Sequence, residues 1–169
     1  MLLFEKILRE LENHKVQYMI AGGVAVNLHG VERATGDLDL LLSLKQSNIE
    51  QFVQIIKNLK WIPRVPVKIE DLANPKNRKQ WIKEKEMKVF SVINPKDPAE
   101  HVDIMIEEHL DFEKAYRKRV QMPFLDFKVS VISVEDLIKL KQIANRDKDQ
   151  NDVLSLKKIL KSKHEKNQD

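Results

Sequence analysis

Residues Tyr18–Leu44, YMIAGGVAVNLHGVERATGDLDLLLSL, decide how this chain is read. Its opening, Tyr18–Ala21, has the composition of a short buried strand. Gly22 and Gly23 predict a tight turn, Val24–Leu28 a short helix, and the segment that follows a basic loop carrying Arg33 and Thr35. A second strand opens with Asp37-Leu38-Asp39 and continues through Leu42. Side chains alternate along a strand, so Asp37 and Asp39 share one face while Leu38 and Leu40 take the other. Two like charges at neighbouring positions disfavour each other's ionisation, and a cation is needed to offset them. Hard divalent ions such as Mg²⁺ favour carboxylate oxygen and keep water and phosphate as further ligands. Glycines that allow close backbone approach, next to the start of a helix, complete a pattern suited to a metal-dependent phosphate site.

Working outward, a third acid stands out. The segment His101–Ile106 alternates as a strand, placing Asp103 with His101 and Met105 on one face and Val102, Ile104 and Ile106 on the other. If this strand lies beside Asp37–Leu42, Asp103 completes a three-carboxylate site. His101 shares that face but is left out of the site, since a lone histidine there is an ordinary hydrogen-bonding residue.

The remaining elements read as scaffold. Leu3, Phe4, Ile7, Leu8 and Leu11 have helical spacing over residues 2–13. Ser47 and Glu50 form a capping-box pattern for a helix running to Leu59, and Ser133 with Asp136 does the same for VEDLIKLKQIANR. Pro63 and Pro66 predict an extended edge or loop over Trp61–Val67. Asp71–Met87 is basic around a single Trp81, a composition open to two readings: a grip on acceptor nucleic acid or a surface helix anchored by one tryptophan. Lys88–Ile93 and Phe127–Ile132 read as strands and Asp111–Arg119 as a short charged helix. The stretch RDKDQNDVLSLKKIL supplies a last helix.

Composition bounds the rest. The 169 residues fit one domain, expected over 1–161, with a disordered tail at 162–169. No cysteine is present, which excludes disulfides and thiolate metal sites. A net charge of +4 and a pI near 9.1 suit a phosphate-bearing partner. No apolar run is long enough to cross a membrane, and the charged N-terminus is unlike a signal peptide, so a cytoplasmic protein is expected.

Taken together, Gly22-Gly23, Arg33-x-Thr35, Asp37-Leu38-Asp39, the later Asp103 and the ending DLIKLKQIANRDKDQND resemble the nucleotidyltransferase superfamily related to DNA polymerase beta. Within it, the chain is most similar to small AbiE-type toxin nucleotidyltransferases. The resemblance implies an α/β (α+β) fold, a short mixed sheet flanked by helices with further helices at the C-terminus. It also implies transfer of a nucleoside monophosphate from an NTP such as ATP to an acceptor hydroxyl, with release of pyrophosphate. Asp37 and Asp39 are expected to bind two Mg²⁺ ions, and Asp103 to bind one and help activate the acceptor. Gly22, Gly23, Arg33, Thr35 and Lys141 are expected to hold the nucleotide. Arg146 is open to two roles, offsetting phosphate charge or pairing with Asp147, Asp149 or Asp152. Many members have Gly-Ser where this chain has Gly22-Gly23, although related toxin and lincosamide-modifying enzymes share the Gly-Gly. The implied acceptor is RNA or tRNA, with an antitoxin protein as partner. Two alternatives are an aminoglycoside or lincosamide acceptor and a non-catalytic nucleotide-binding protein.

Overall fold

In the computed structural model, which describes residues 4–166, seven strands form a single mixed sheet with helices packed around it. The first helix, α1 (Glu5–Asn13), buries Ile7, Leu8 and Leu11, the stripe expected from their spacing. It leads into β1 (Tyr18–Ile20), which is buried throughout. The glycines that follow are the first turn of α2 (Gly22–Leu28) rather than a separate turn before it. β2 (Leu38–Leu42) then runs antiparallel to β1, pairing Ile20 with Leu40.

The next helix, α3 (Gln46–Leu59), starts two residues earlier than the Ser47 cap would require, and no side chain caps it. Tertiary bonds fix its start instead. The buried Asn48 side chain accepts from the Gln17 amide at 2.7 Å and donates to the Ser43 carbonyl at 2.9 Å. β3 (Ile62–Pro63) is a two-residue edge strand, in keeping with Pro63 within it and Pro66 just beyond. A 3-10 turn at Ile69–Ala73 precedes α4 (Pro75–Lys85), capped by the Asn74 side chain. Trp81 is buried in α4 and stacks on Phe90 at 5.3 Å. Its ring face is spent in the core and is not available to stack on a base.

β4 (Val89–Asn94) and β5 (Asp97–Met105) form a hairpin. α5 (Phe112–Arg117) follows, then β6 (Val120–Phe124) and β7 (Phe127–Val131). β6 was not expected from sequence: Val120, Met122 and Phe124 alternate, but Pro123 argues against a strand, and it is tolerated because β6 is an edge strand paired with β7 alone. The Ser133 hydroxyl caps α6 (Val134–Ala144), as its motif indicates. α7 (Asp147–Lys166) continues as helix through residues 162–166 of the expected tail; 167–169 lie outside the described residues.

The strand order is β3-β4-β5-β2-β1-β7-β6. One face of the central strands, carrying Leu38, Leu40, Phe90, Val92, Val102 and Ile104, joins α1 and α3 in the main core. Burial of this face leaves its opposite free to present polar groups. β2 and β5 are parallel neighbours in the register Asp39 to Asp103, the adjacency that periodicity could not supply. No described helix is long and apolar enough to cross a membrane.

Candidate active site

Each acid is placed by the strand that carries it. Asp39 and Asp103 face each other across the β2–β5 pair, and Asp37 immediately precedes β2 on the same side. One carboxylate oxygen from each of Asp37, Asp39 and Asp103 lies within 4.8 Å of the other two. None of the three takes part in an ion pair among the described residues, so the cluster carries unneutralised negative charge at close range. The consequence falls on Asp39. Burial first, then the charges of Asp37 and Asp103, push its carboxyl up to about 6.

The glycines matter here for the space they leave. Gly22 has a φ of +58°, and a Cβ built on it would stand 1.7 Å from Asp39 Oδ2. A Cβ on Gly23 would stand 2.4 Å from Thr35 Oγ1. The Gly-Gly pair therefore lets α2 begin against the acids, tied there by the Ala21 amide donating to the Asp39 carbonyl at 2.9 Å. Thr35 Oγ1 donates to Asp37 Oδ1 at 3.1 Å, so this loop residue touches an acid of the cluster.

Arg33 and Lys141 sit in a neighbouring ion network. The Lys141 ammonium, 4 % exposed, binds Asp149 at 3.0 Å and Asp152 at 2.7 Å, both on α7. Arg33 binds the same Asp152 carboxylate, and Arg146 binds Asp149 at 2.7 Å. Of the two roles open to Arg146, pairing with an α7 acid is the one observed. Its field, with that of Lys141, still reaches Asp39 and opposes the upward push on that carboxyl. His101 lies two residues before Asp103 in β5, opposite Ile93, and is not among the converging ligands.

Sequence reasoning missed Ser91, whose hydroxyl donates to Asp103 Oδ1. The signal was present in KVFSVI: Phe90 and Val92 alternate inward, which leaves Ser91 on the face of the acids. A cavity of about 700 Å³ opens at the other ends of β2 and β5, lined by Lys45, Arg78, Glu107 and Asp111 among others. It contains no residue of the acidic cluster and starts three or four residues further along both strands, on the order of 10 Å away at about 3.3 Å per residue.

Three carboxylates from two strands, unpaired and backed by a glycine cradle, have the donor chemistry of a hard divalent cation site. A family profile described as "Nucleotidyltransferase of unknown function (DUF6036)" matches residues 1–162. The chain belongs to this nucleotidyltransferase family. The shared fold extends to solved structures. One is a lincomycin-bound lincosamide antibiotic adenylyltransferase, LnuA, 17 % identical, with 90 % of this chain and 93 % of that one covered at a TM-score of 0.57. Another is a candidate nucleotidyltransferase from Thermotoga maritima, 16 % identical, covering 95 % and 91 % at 0.58. A third, ANT(2")-Ia in complex with adenylyl-2"-tobramycin, is 16 % identical and covers 94 % and 87 % at 0.58. None of the curated protein sequences matches the chain. For this nucleotidyltransferase, the likeness to those structures concerns the fold, and the acids of the site rest on the geometry above.

Proposed function

We propose that this nucleotidyltransferase moves a nucleoside monophosphate from an NTP to an acceptor hydroxyl in a Mg²⁺-dependent reaction carried by Asp37, Asp39 and Asp103. The single observation that supports this most is the convergence of those three carboxylates in a member of a nucleotidyltransferase family. Asp37 and Asp39 would hold two ions, with Asp103 shared to one of them. Metal bound there would supply charge stabilisation at both the attacking and the leaving oxygen of an in-line displacement. Asp103 takes the proton of the acceptor hydroxyl as that oxygen bonds to the α-phosphorus, and the bond to pyrophosphate breaks. Gly22 and Gly23, with Thr35, line the approach of the triphosphate. Arg33 and Lys141 reach its charge once phosphate competes with Asp149 and Asp152 for them.

For the acceptor we take RNA, tRNA in particular, with the chain acting as the toxin of an AbiE-like toxin–antitoxin pair in the cytoplasm; the net charge of +4 suits a polyanionic acceptor. The second reading is a small-molecule acceptor, favoured by the antibiotics named for two structures of the same fold. Incubation of the purified protein with labelled NTPs and Mg²⁺, first against total RNA and then against lincosamides and aminoglycosides, separates the two. Label on tRNA is expected. Label on a drug selects the second reading, and NTP bound with no label transferred identifies a non-catalytic nucleotide-binding protein. Asp39→Asn is expected to lose transfer at least about a thousandfold while keeping its fold.

A further inference from the structure

Ser91 lies on β4 opposite Asp103, and Asp103 lies on β5 opposite Asp39, so the three side chains form one row across adjacent strands. Facing positions share a sheet face, with Cβ atoms about 5 Å apart. Ser91 Oγ donates to Asp103 Oδ1 at 2.5 Å, a charge-assisted contact. No other hydrogen bond to the Asp103 side chain occurs among the described residues, so Oδ2 is left free. A carboxylate rotates readily about its terminal torsion, where no staggered well holds it. One donor on one oxygen removes that freedom.

The fold itself does not call for a hydroxyl at this position. Phe90 and Val92 anchor β4 in the core from the opposite face, and Ser91 is only half-buried. A β-branched apolar residue would suit the strand better. The outer acid on the other side has a matching arrangement, since Thr35 donates to Asp37 Oδ1. Two hydroxyls from two separate elements thus bracket the cluster.

We propose that Ser91 is a positioning residue whose hydroxyl fixes the Asp103 carboxylate in the orientation that converges with Asp37 and Asp39, presenting Oδ2 to a divalent cation. The inference rests on the metal-dependent reading above and adds to it a residue that never touches the ion. Partners of this kind typically change metal affinity by about 10–100-fold when removed.

The test compares Ser91→Val with Ser91→Thr, two side chains of nearly equal shape that differ in the hydroxyl. Mn²⁺ binding is read by electron paramagnetic resonance on nucleotide-free protein, with the thermal midpoint recorded for each. Ser91→Val is expected to raise the Mn²⁺ Kd at least ~10-fold while its midpoint stays near that of the wild type, and Ser91→Thr to restore binding. The Mg²⁺ concentration giving half-maximal transfer shifts by the same factor. If Ser91→Val does not fold, Ser91→Ala replaces it in the same comparison. Wild-type Mn²⁺ affinity in Ser91→Val, or affinity in Ser91→Thr as weak as in Ser91→Val, overturns the proposal while leaving the metal site standing. Wild-type protein that binds no Mn²⁺ overturns the metal-dependent reading itself, and this proposal with it.

Discussion

Asp39 makes a pH-dependent contribution to the stability of the metal-free protein. Its carboxyl titrates at about 6 in the fold, against about 3.9 in an unfolded chain. Between those values the folded protein keeps a proton that the unfolded chain has released, so stability from this group falls as pH rises from about 4 to 6 and is flat above. At about 1.4 kcal/mol per pH unit the cost is on the order of 2–3 kcal/mol at neutral pH. Urea unfolding of metal-free wild type and Asp39→Asn is expected to show the variant ahead at pH 7.5 and the advantage gone by pH 4. An unchanged difference across that range would remove the burial and repulsion argument. Gly22 offers the companion test, since its +58° φ and a Cβ contact of 1.7 Å with Asp39 make Gly22→Ala doubly costly. We expect a loss of at least ~1 kcal/mol in stability, read by denaturant, and loss of Mn²⁺ binding because the Asp39 carboxylate must move. The sequence predicts glycines that face phosphate; the reason they must be glycine, the carboxylate of Asp39 behind one and the hydroxyl of Thr35 behind the other, needed the fold.

At the scale of elements, Lys141 joins α6 to α7, and through Asp152 to the loop that carries Arg33. Removing one member of a buried ionic cluster leaves uncompensated charge, and Asp149 is 1 % exposed in its side chain. Lys141→Met is therefore expected to destabilise by ~3 kcal/mol, near the low end for buried pairs because Arg33 and Arg146 remain beside the two acids. Equilibrium unfolding in guanidinium checks this, and a change below about 1 kcal/mol would show the lysine to be held only loosely between the helices. The helix itself was legible in the sequence through its apolar spacing and its Ser133 cap. The lysine's partners were not, because Asp149 and Asp152 lie on the next helix and the pairing depends on how α6 and α7 cross. The start of α3 shows the same limit: Ser47 and Glu50 have the spacing of a cap, but Asn48 reaches Gln17 and Ser43, and those bonds set the boundary. Trp81 was open to two readings, and its stacking on Phe90 decides for the packed one.

For the molecule as a whole, a ligand that binds only the folded state stabilises it by mass action. Mg²⁺ at a hundred times its Kd should add about 2.7 kcal/mol at pH 7.5, reversed by chelator. The response is expected to vanish in the triple variant Asp37→Asn, Asp39→Asn, Asp103→Asn. A triple variant that still gains stability would place the ion elsewhere. By itself the sequence determined the mixed α/β character, the faces on which each acid lies and the family resemblance, because strand alternation and helix spacing are local properties that side-chain chemistry writes directly into the chain. Tertiary structure alone decided that β5 lies parallel beside β2 in the register that brings Asp103 to Asp39, that Ser91 stands behind Asp103, and that α7 supplies acids to Arg33 and Lys141. Asp39 and Asp103, 64 positions apart, meet because β2 pairs with β5, and pairing partners are chosen by the packing of the whole sheet and not by any one segment.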